Sequence, residues 1–189
     1  MVAYSNGMPV GTPAPAFSLP GVDGKTYSLE SFREAKALVV IFTCNHCPYA
    51  QALEHRFIAI QRDYTARGVQ LCAINPNDER AYPEDDFPSM QTRVKERGWN
   101  FPYLRDQSQA VARAYDAACT PDIFVFDAQC KLRYNGRCDD NWREADKVTR
   151  QDLRRALDRV LAGQVVDFDI HPALGCSIKW KAADQSSPP

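Results

Sequence analysis

Cys44 and Cys47 stand two residues apart in the run Thr43-Cys44-Asn45-His46-Cys47-Pro48. A pair at that spacing folds both sulfurs into one turn, close enough to close a small disulfide ring. One thiolate can then attack a disulfide and the other can resolve the mixed disulfide that forms. His46, immediately before Cys47, offers a cationic ring that would favour a nearby thiolate. The competing chemistry is a zinc half-site, which needs a second cysteine or histidine pair at ligand spacing. Cys130 and Cys138 are too far apart for that, and the three histidines form no such pair. The motif therefore reads as a redox dithiol with no metal and no cofactor.

The elements around the pair say where it must lie. Ala37–Thr43 is an unbroken apolar run, the pattern of a strand buried on both faces. Helical periodicity follows through Ala52, Leu53, Phe57, Ile58, Ile60 and Tyr64, with Gly68 as a stop. Pro48 belongs to a first helical turn, where its missing N–H costs nothing. This predicts a helix starting near Asn45, with both sulfurs at its mouth. There the unpaired N–H groups and about +0.5 of an elementary charge stabilise a thiolate. A cysteine pKa at such a position falls from about 8.5 toward roughly 3.5–7.5.

The rest of the chain alternates in the same way. A hairpin is expected from Ala16–Leu19 and Thr26–Leu29, with a short helical turn over Ser28–Phe32. A second buried strand spans Val69–Ile74, a polar loop Asn75–Pro88 and a helix Phe87–Arg97. Pro102–Leu104 is a short edge segment, and Ser108 is a candidate cap for a helix reaching Tyr115. Ile123–Asp127 and Leu132–Gly136 form an antiparallel pair, and Thr149 caps a last helix over Arg150–Leu161. The order predicts an α/β fold: a central mixed sheet flanked by helices, with an N-terminal hairpin and an irregular C-terminal tail. The expected division is an extended arm over 1–15, a domain over 16–163 and a C-terminal extension over 164–189.

A second landmark is Cys119-Thr120-Pro121, just before the strand at Ile123. A cis peptide ahead of Pro121 would expose the Thr120 backbone to pair with an incoming peptide strand. Thr120 and Pro121 are therefore candidate substrate-binding residues. Cys119 and Cys176 are candidate additional redox thiols. Cys72 lies inside an apolar strand and reads as core filling.

Composition excludes other classes. The 189 residues carry 23 basic and 24 acidic side chains, a balance that gathers neither nucleic acid nor anionic lipid. The longest apolar run is far below the roughly 20 residues needed to cross a bilayer. The N-terminus has neither a basic region nor a long apolar segment, so no signal peptide is expected and a cytoplasmic location is the default. Seven cysteines, an odd number, argue against a closed disulfide framework.

Four segments together resemble a known family: GTPAPAFSLP from Gly11, VVIFTCNHCPYA, AINPND and YDAACTPDIFVFD, with GCSIKW from Gly175 as a further match. They are similar to the peroxiredoxin-like branch of the alkyl hydroperoxide reductase/thiol-specific antioxidant and thioredoxin superfamily. The resemblance implies a thioredoxin-like fold over about residues 8–163 and an oxidoreductase. Expected partners are protein or small-molecule disulfides, or hydroperoxides, with a thioredoxin- or glutathione-type electron donor.

The resemblance leaves two mechanisms open. In disulfide exchange, Cys44 attacks and Cys47 resolves. In peroxidase chemistry, Cys47 takes the place of the peroxide-attacking cysteine before proline, and Cys44 or Cys176 resolves it. Cys44 then stands where peroxidases have a threonine, and Arg137 is the candidate for their arginine. A redox-regulated module without enzymatic activity is a further reading. Leu38 stands where thioredoxins bury an acid, so the second thiol's proton acceptor is missing or comes from elsewhere.

Overall fold

The computed structural model describes residues 1–182. The chain opens with strand β1 (Val2–Tyr4), then the hairpin strands β2 (Ser18–Pro20) and β3 (Thr26–Ser28). Strand β4 (Ala37–Phe42), helix α1 (Pro48–Tyr64) and strand β5 (Val69–Asn75) follow. Next come helix α2 (Phe87–Arg97), strand β6 (Tyr103–Arg105) and the short helix α3 (Ala110–Ala114). Two residues form β7 (Cys119–Thr120), ahead of β8 (Asp122–Asp127) and β9 (Leu132–Asn135). Helix α4 (Asp152–Leu161) and strand β10 (Leu174–Ser177) complete the described chain.

The main sheet has the order β6-β5-β4-β8-β9. β4 pairs in parallel with β5 and antiparallel with β8, so the sheet is mixed, as expected. β4 is central and buried at every position. Successive side chains on a strand point to opposite faces, and here each face has its own core. Val39 and Ile41 pack with Leu53, Phe57 and Ile60 of α1 and Leu153 and Leu157 of α4. Leu38, Val40 and Phe42 pack on the other side with Phe17, Phe32, Val111 and Tyr115. Both faces are covered, which is why the sequence shows a continuous apolar run rather than an alternation.

Strand bounds differ from the sequence expectation by one or two residues, and three helices differ as follows. α1 begins at Pro48 rather than Asn45, because Cys47, directly before the proline, is extended at ψ 122°, and a following proline disfavours the helical conformation. α4 begins at Asp152 rather than Arg150. Thr149 does not cap it: its hydroxyl and its N–H both go to Asp140. α3 is shorter than the Ser108–Tyr115 span, since Gln109 takes a left-handed φ of 63° ahead of it.

The largest difference lies at the termini. The arm and the C-terminal extension are not merely extended or irregular. β10 pairs with β1 on one side and with β7 on the other, making a second, three-stranded antiparallel sheet. The pairing partners are some 170 residues apart in sequence, and each strand has at most four residues. No local periodicity can mark pieces that short.

Phe42 sits where the sheet hands the chain to the dithiol, fully buried and edge-on to Tyr115 and Phe124 at 5.3 and 5.8 Å. Phe42→Ala should cost about 3–5 kcal/mol by denaturant unfolding of the reduced protein. A loss below about 1 kcal/mol would show that this end of the core is not closely packed.

Candidate active site

The segment between β4 and α1 is clamped from several sides. The Asn45 amide donates to the Glu84 carbonyl at 2.7 Å, and the Gln51 amide donates to the Asn45 carbonyl at 2.6 Å. The Tyr103 hydroxyl donates to Asn45 Oδ1 at 3.1 Å. These contacts hold Cys47 as the N-cap residue of α1, with its sulfur at the positive end of a 17-residue helix.

Across from it lies β7. The Thr120–Pro121 peptide is cis, and Thr120 meets both sulfurs. The Cys47 thiol donates to the Thr120 carbonyl at 3.0 Å, and Cys44 Sγ lies 3.3 Å from the Thr120 hydroxyl. Asp122, beside Pro121, braces the turn by accepting from the Ala118 N–H at 3.1 Å and the Asn135 amide at 3.1 Å. Burial pushes the Asp122 carboxyl up to about 6.

The two thiols differ sharply. Cys47 is pulled down to about 5, chiefly because the Cys44 thiol donates to its sulfur, and this outweighs the effect of burial. Cys176, the Ala50 N–H and the Thr120 side chain lower it further. Cys44 is held well above the ordinary thiol range by burial, by that same bond to Cys47 and by the negative charge of Asp85. These environments favour ionisation at Cys47 over Cys44, whereas the sequence reading gave the attacking role in disulfide exchange to Cys44.

His46 does not aim its ring at a sulfur as expected. Its Nδ1 lies 2.6 Å from Asp85 Oδ2, and the ring stacks on Tyr82 at 4.6 Å. Asp85 is fully buried. Burial would raise its carboxyl, but contacts from His46, Asn77 and the Asn45 N–H bring it below the usual carboxylate range. Cys44, His46 and Asp85 each present a ligand-type atom within 4.8 Å of the others. That trio could face a thiophilic cation, but the imidazole and carboxylate are already spent on each other and on Asn45 and Asn77. Sequence reading missed Asp85. It lies among Glu84, Asp85 and Asp86 in a polar loop, and only the fold turns one of the three inward.

The expectation that the Thr120 backbone is open to an incoming strand is not met. Thr120 is fully buried, and the chain's own β10 pairs with β7, Cys176 opposite Thr120 and Ser177 opposite Cys119. Cys176 packs against Cys44, Cys47 and Ala50. Cys119 is fully buried, with its thiol directed at the Pro121 and Ala173 carbonyls, so it fills the core instead of joining the sulfurs. Cys72 and Cys138 are buried, and burial raises both thiols. Arg137 gives its Nε to Asp152 at 2.7 Å and lines a cavity of about 250 Å³ with Leu53, Pro121 and Trp142.

The family model of the AhpC/TSA family matches residues 10–135. The chain belongs to this family. A Mycobacterium tuberculosis relative named "Putative peroxiredoxin" is 29% identical over 107 residues, or 57% of this chain. The match spans 63% of that relative's length. Among solved structures, a conserved protein from Geobacillus kaustophilus is 43% identical, with a TM-score of 0.92 over 97% of this chain and 98% of that one. A Chlorobium tepidum protein titled a thiol:disulfide interchange protein is 21% identical, with a TM-score of 0.67 over 82% of this chain and 99% of that one. That likeness carries the thioredoxin-like fold. Among the described residues, no helix is long and apolar enough to cross a membrane.

A thiol at about 5 is ionised throughout the neutral range. The ultraviolet thiolate absorbance lost in Cys47→Ser should titrate near pH 5 in the parent protein. A midpoint near the free-cysteine value of about 8.5 would contradict the hydrogen-bonded thiolate.

Proposed function

We propose that the protein is a thiol–disulfide oxidoreductase in which the Cys47 thiolate attacks and Cys44 resolves. The observation that carries this reading is that Cys47 is the N-cap residue of α1 and packs with Cys44 at the mouth of that helix. Cys47 attacks one sulfur of a substrate disulfide, and the other leaves as a thiolate. Cys44 loses its proton and attacks Cys47 Sγ. The Cys44–Cys47 bond closes and the second substrate thiolate departs. An external donor, one thioredoxin-type dithiol or two glutathione-type monothiols, is oxidised to its disulfide and restores the reduced pair. The His46–Asp85 pair lies within 4.8 Å of Cys44 Sγ and is placed to take its proton. It supplies the role for which thioredoxins use an acid on the strand before the dithiol.

A second reading shares the same nucleophile. The Cys47-Pro48 step and the AhpC/TSA kinship favour attack on a hydroperoxide. The Cys47 thiolate takes the terminal oxygen, and the alcohol leaves with a proton. Cys44 then condenses with the sulfenic acid and releases water. Full burial of Cys47 suits a reactant this small.

Cys47→Ser should lower exchange with a small model disulfide by at least about a thousandfold. Cys44→Ser should stall as a mixed disulfide on Cys47, visible by mass spectrometry. Retained exchange in Cys47→Ser would overturn the assignment. Peroxide treatment of Cys44→Ser followed by a sulfenic-acid trap separates the readings: label on Cys47 with rapid peroxide consumption supports the peroxidase, and neither supports exchange alone.

A further inference from the structure

β10 is held against β7 more closely than a side chain allows. A Cβ on Gly175 would sit 2.1 Å from the Thr120 carbonyl oxygen and 2.5 Å from its carbon. Both atoms belong to the backbone and cannot swing aside. Only glycine permits this approach, and the approach fixes the next residue, Cys176. Directly opposed residues in an antiparallel ladder carry their side chains on the same face. Cys176 therefore shares the face of the Thr120 side chain, whose hydroxyl lies 3.3 Å from Cys44 Sγ. Cys176 packs against the buried cluster of Cys44, Cys47 and Ala50. Cys119 and Ser177, the neighbouring pair, point to the opposite face.

Accessibility runs the other way. Cys44 is 2% exposed and Cys47 is 0% exposed, whereas Cys176 is half-buried. A peptide disulfide docking on a strand edge pairs its extended backbone there and presents its sulfur to the nucleophile. β10 already does this, from within the chain, with Cys176 in the place of the substrate sulfur.

We propose that Leu174–Ser177 is a built-in substrate strand and that Cys176 is the outer thiol of a three-cysteine relay, exchanging with partner proteins too large to reach Cys47. The relay rests on the dithiol reading above. In the oxidised protein, Cys176 gives its proton to solvent and its thiolate attacks Cys47 Sγ. The Cys47–Cys176 bond forms and the Cys44–Cys47 bond breaks. Cys44 leaves as a thiolate and takes up a proton, so the oxidation state is unchanged. A dithiol on a partner protein then attacks the half-exposed Cys176 Sγ, and Cys47 leaves as a thiolate. The partner's second thiolate attacks its own sulfur in the mixed disulfide and frees Cys176. The partner dithiol has lost two electrons, and all three cysteines of the relay are reduced. Cys47 is a favourable leaving group in this step because its thiolate is stabilised.

Two measurements on the full chain test the relay. First, Cys44→Ser is oxidised with diamide, alkylated and mapped by mass spectrometry. The expected product is a Cys47–Cys176 disulfide. Cys176 left alkylatable while Cys47 carries an adduct would overturn the relay. Second, oxidised wild type and Cys176→Ser are reduced by dithiothreitol and, separately, by a reduced thioredoxin. Cys176→Ser should slow the thioredoxin reaction by at least about tenfold more than the dithiothreitol reaction. Gly175→Ala, checked for folding by circular dichroism, should shift the same ratio in the same direction. Equal slowing with both reductants would overturn the proposal. Wild type that forms no Cys44–Cys47 disulfide with diamide would overturn the underlying dithiol reading. A normal Cys44–Cys47 disulfide with no joining of Cys176 would overturn the relay alone.

Discussion

Thr120 meets the two sulfurs of the dithiol with two different oxygens, its carbonyl on Cys47 and its hydroxyl beside Cys44. Everything else at the site serves to keep that residue and the mouth of α1 face to face. β4 and β8 are paired along their whole lengths. The strand that delivers the dithiol and the strand that follows Pro121 are therefore one rigid unit. Asp122 fixes the turn between β7 and β8 from inside the core. Buried strand pairs of this kind sit at the high end of local stability, and a thiol needs that rigidity if hydrogen bonds are to set its ionisation.

The electrostatics divide labour between two chemically identical side chains. The helix terminus and the converging donors belong to Cys47, and the negative charge of Asp85 belongs to Cys44. A hydrogen bond from one thiol to the other deepens the difference, because each proton kept on Cys44 stabilises charge on Cys47. The arrangement combines the cysteine-proline step of a peroxidase with the paired cysteines of a disulfide exchanger. It also sources its buried acid from the 75–88 loop. The acid reaches the dithiol through Asn45 and His46, so the loop and the motif are held by the same carboxylate.

β10 adds a constraint that neither chemistry requires by itself. It closes the edge of β7, brings a third sulfur to the dithiol and ties the two ends of the chain together through β1. Gly175 is the residue that makes the closure possible. Its role is steric and concerns contact with a backbone more than fifty residues away, so it leaves no local sign.

The sequence alone determined the α/β class, the mixed sheet, the position of the dithiol and its chemical nature. These follow from a six-residue apolar run, from helical periodicity after Pro48 and from the spacing of Cys44 and Cys47, all of which are local and survive without neighbours. α2, with its N-cap Asp86 and its left-handed Gly98, was legible for the same reason. The tertiary structure decided that the two thiols have different surroundings, because these come from Ala50, Thr120 and Cys176 and from a carboxylate in a distant loop. It paired His46 Nδ1 with Asp85 beside Cys44, and it left Cys47 extended, so that the helix starts at Pro48. It also converted the terminal segments from tails into strands. Short strands owe their existence to their partners rather than to their own residues, and the partner of Cys176 is Thr120.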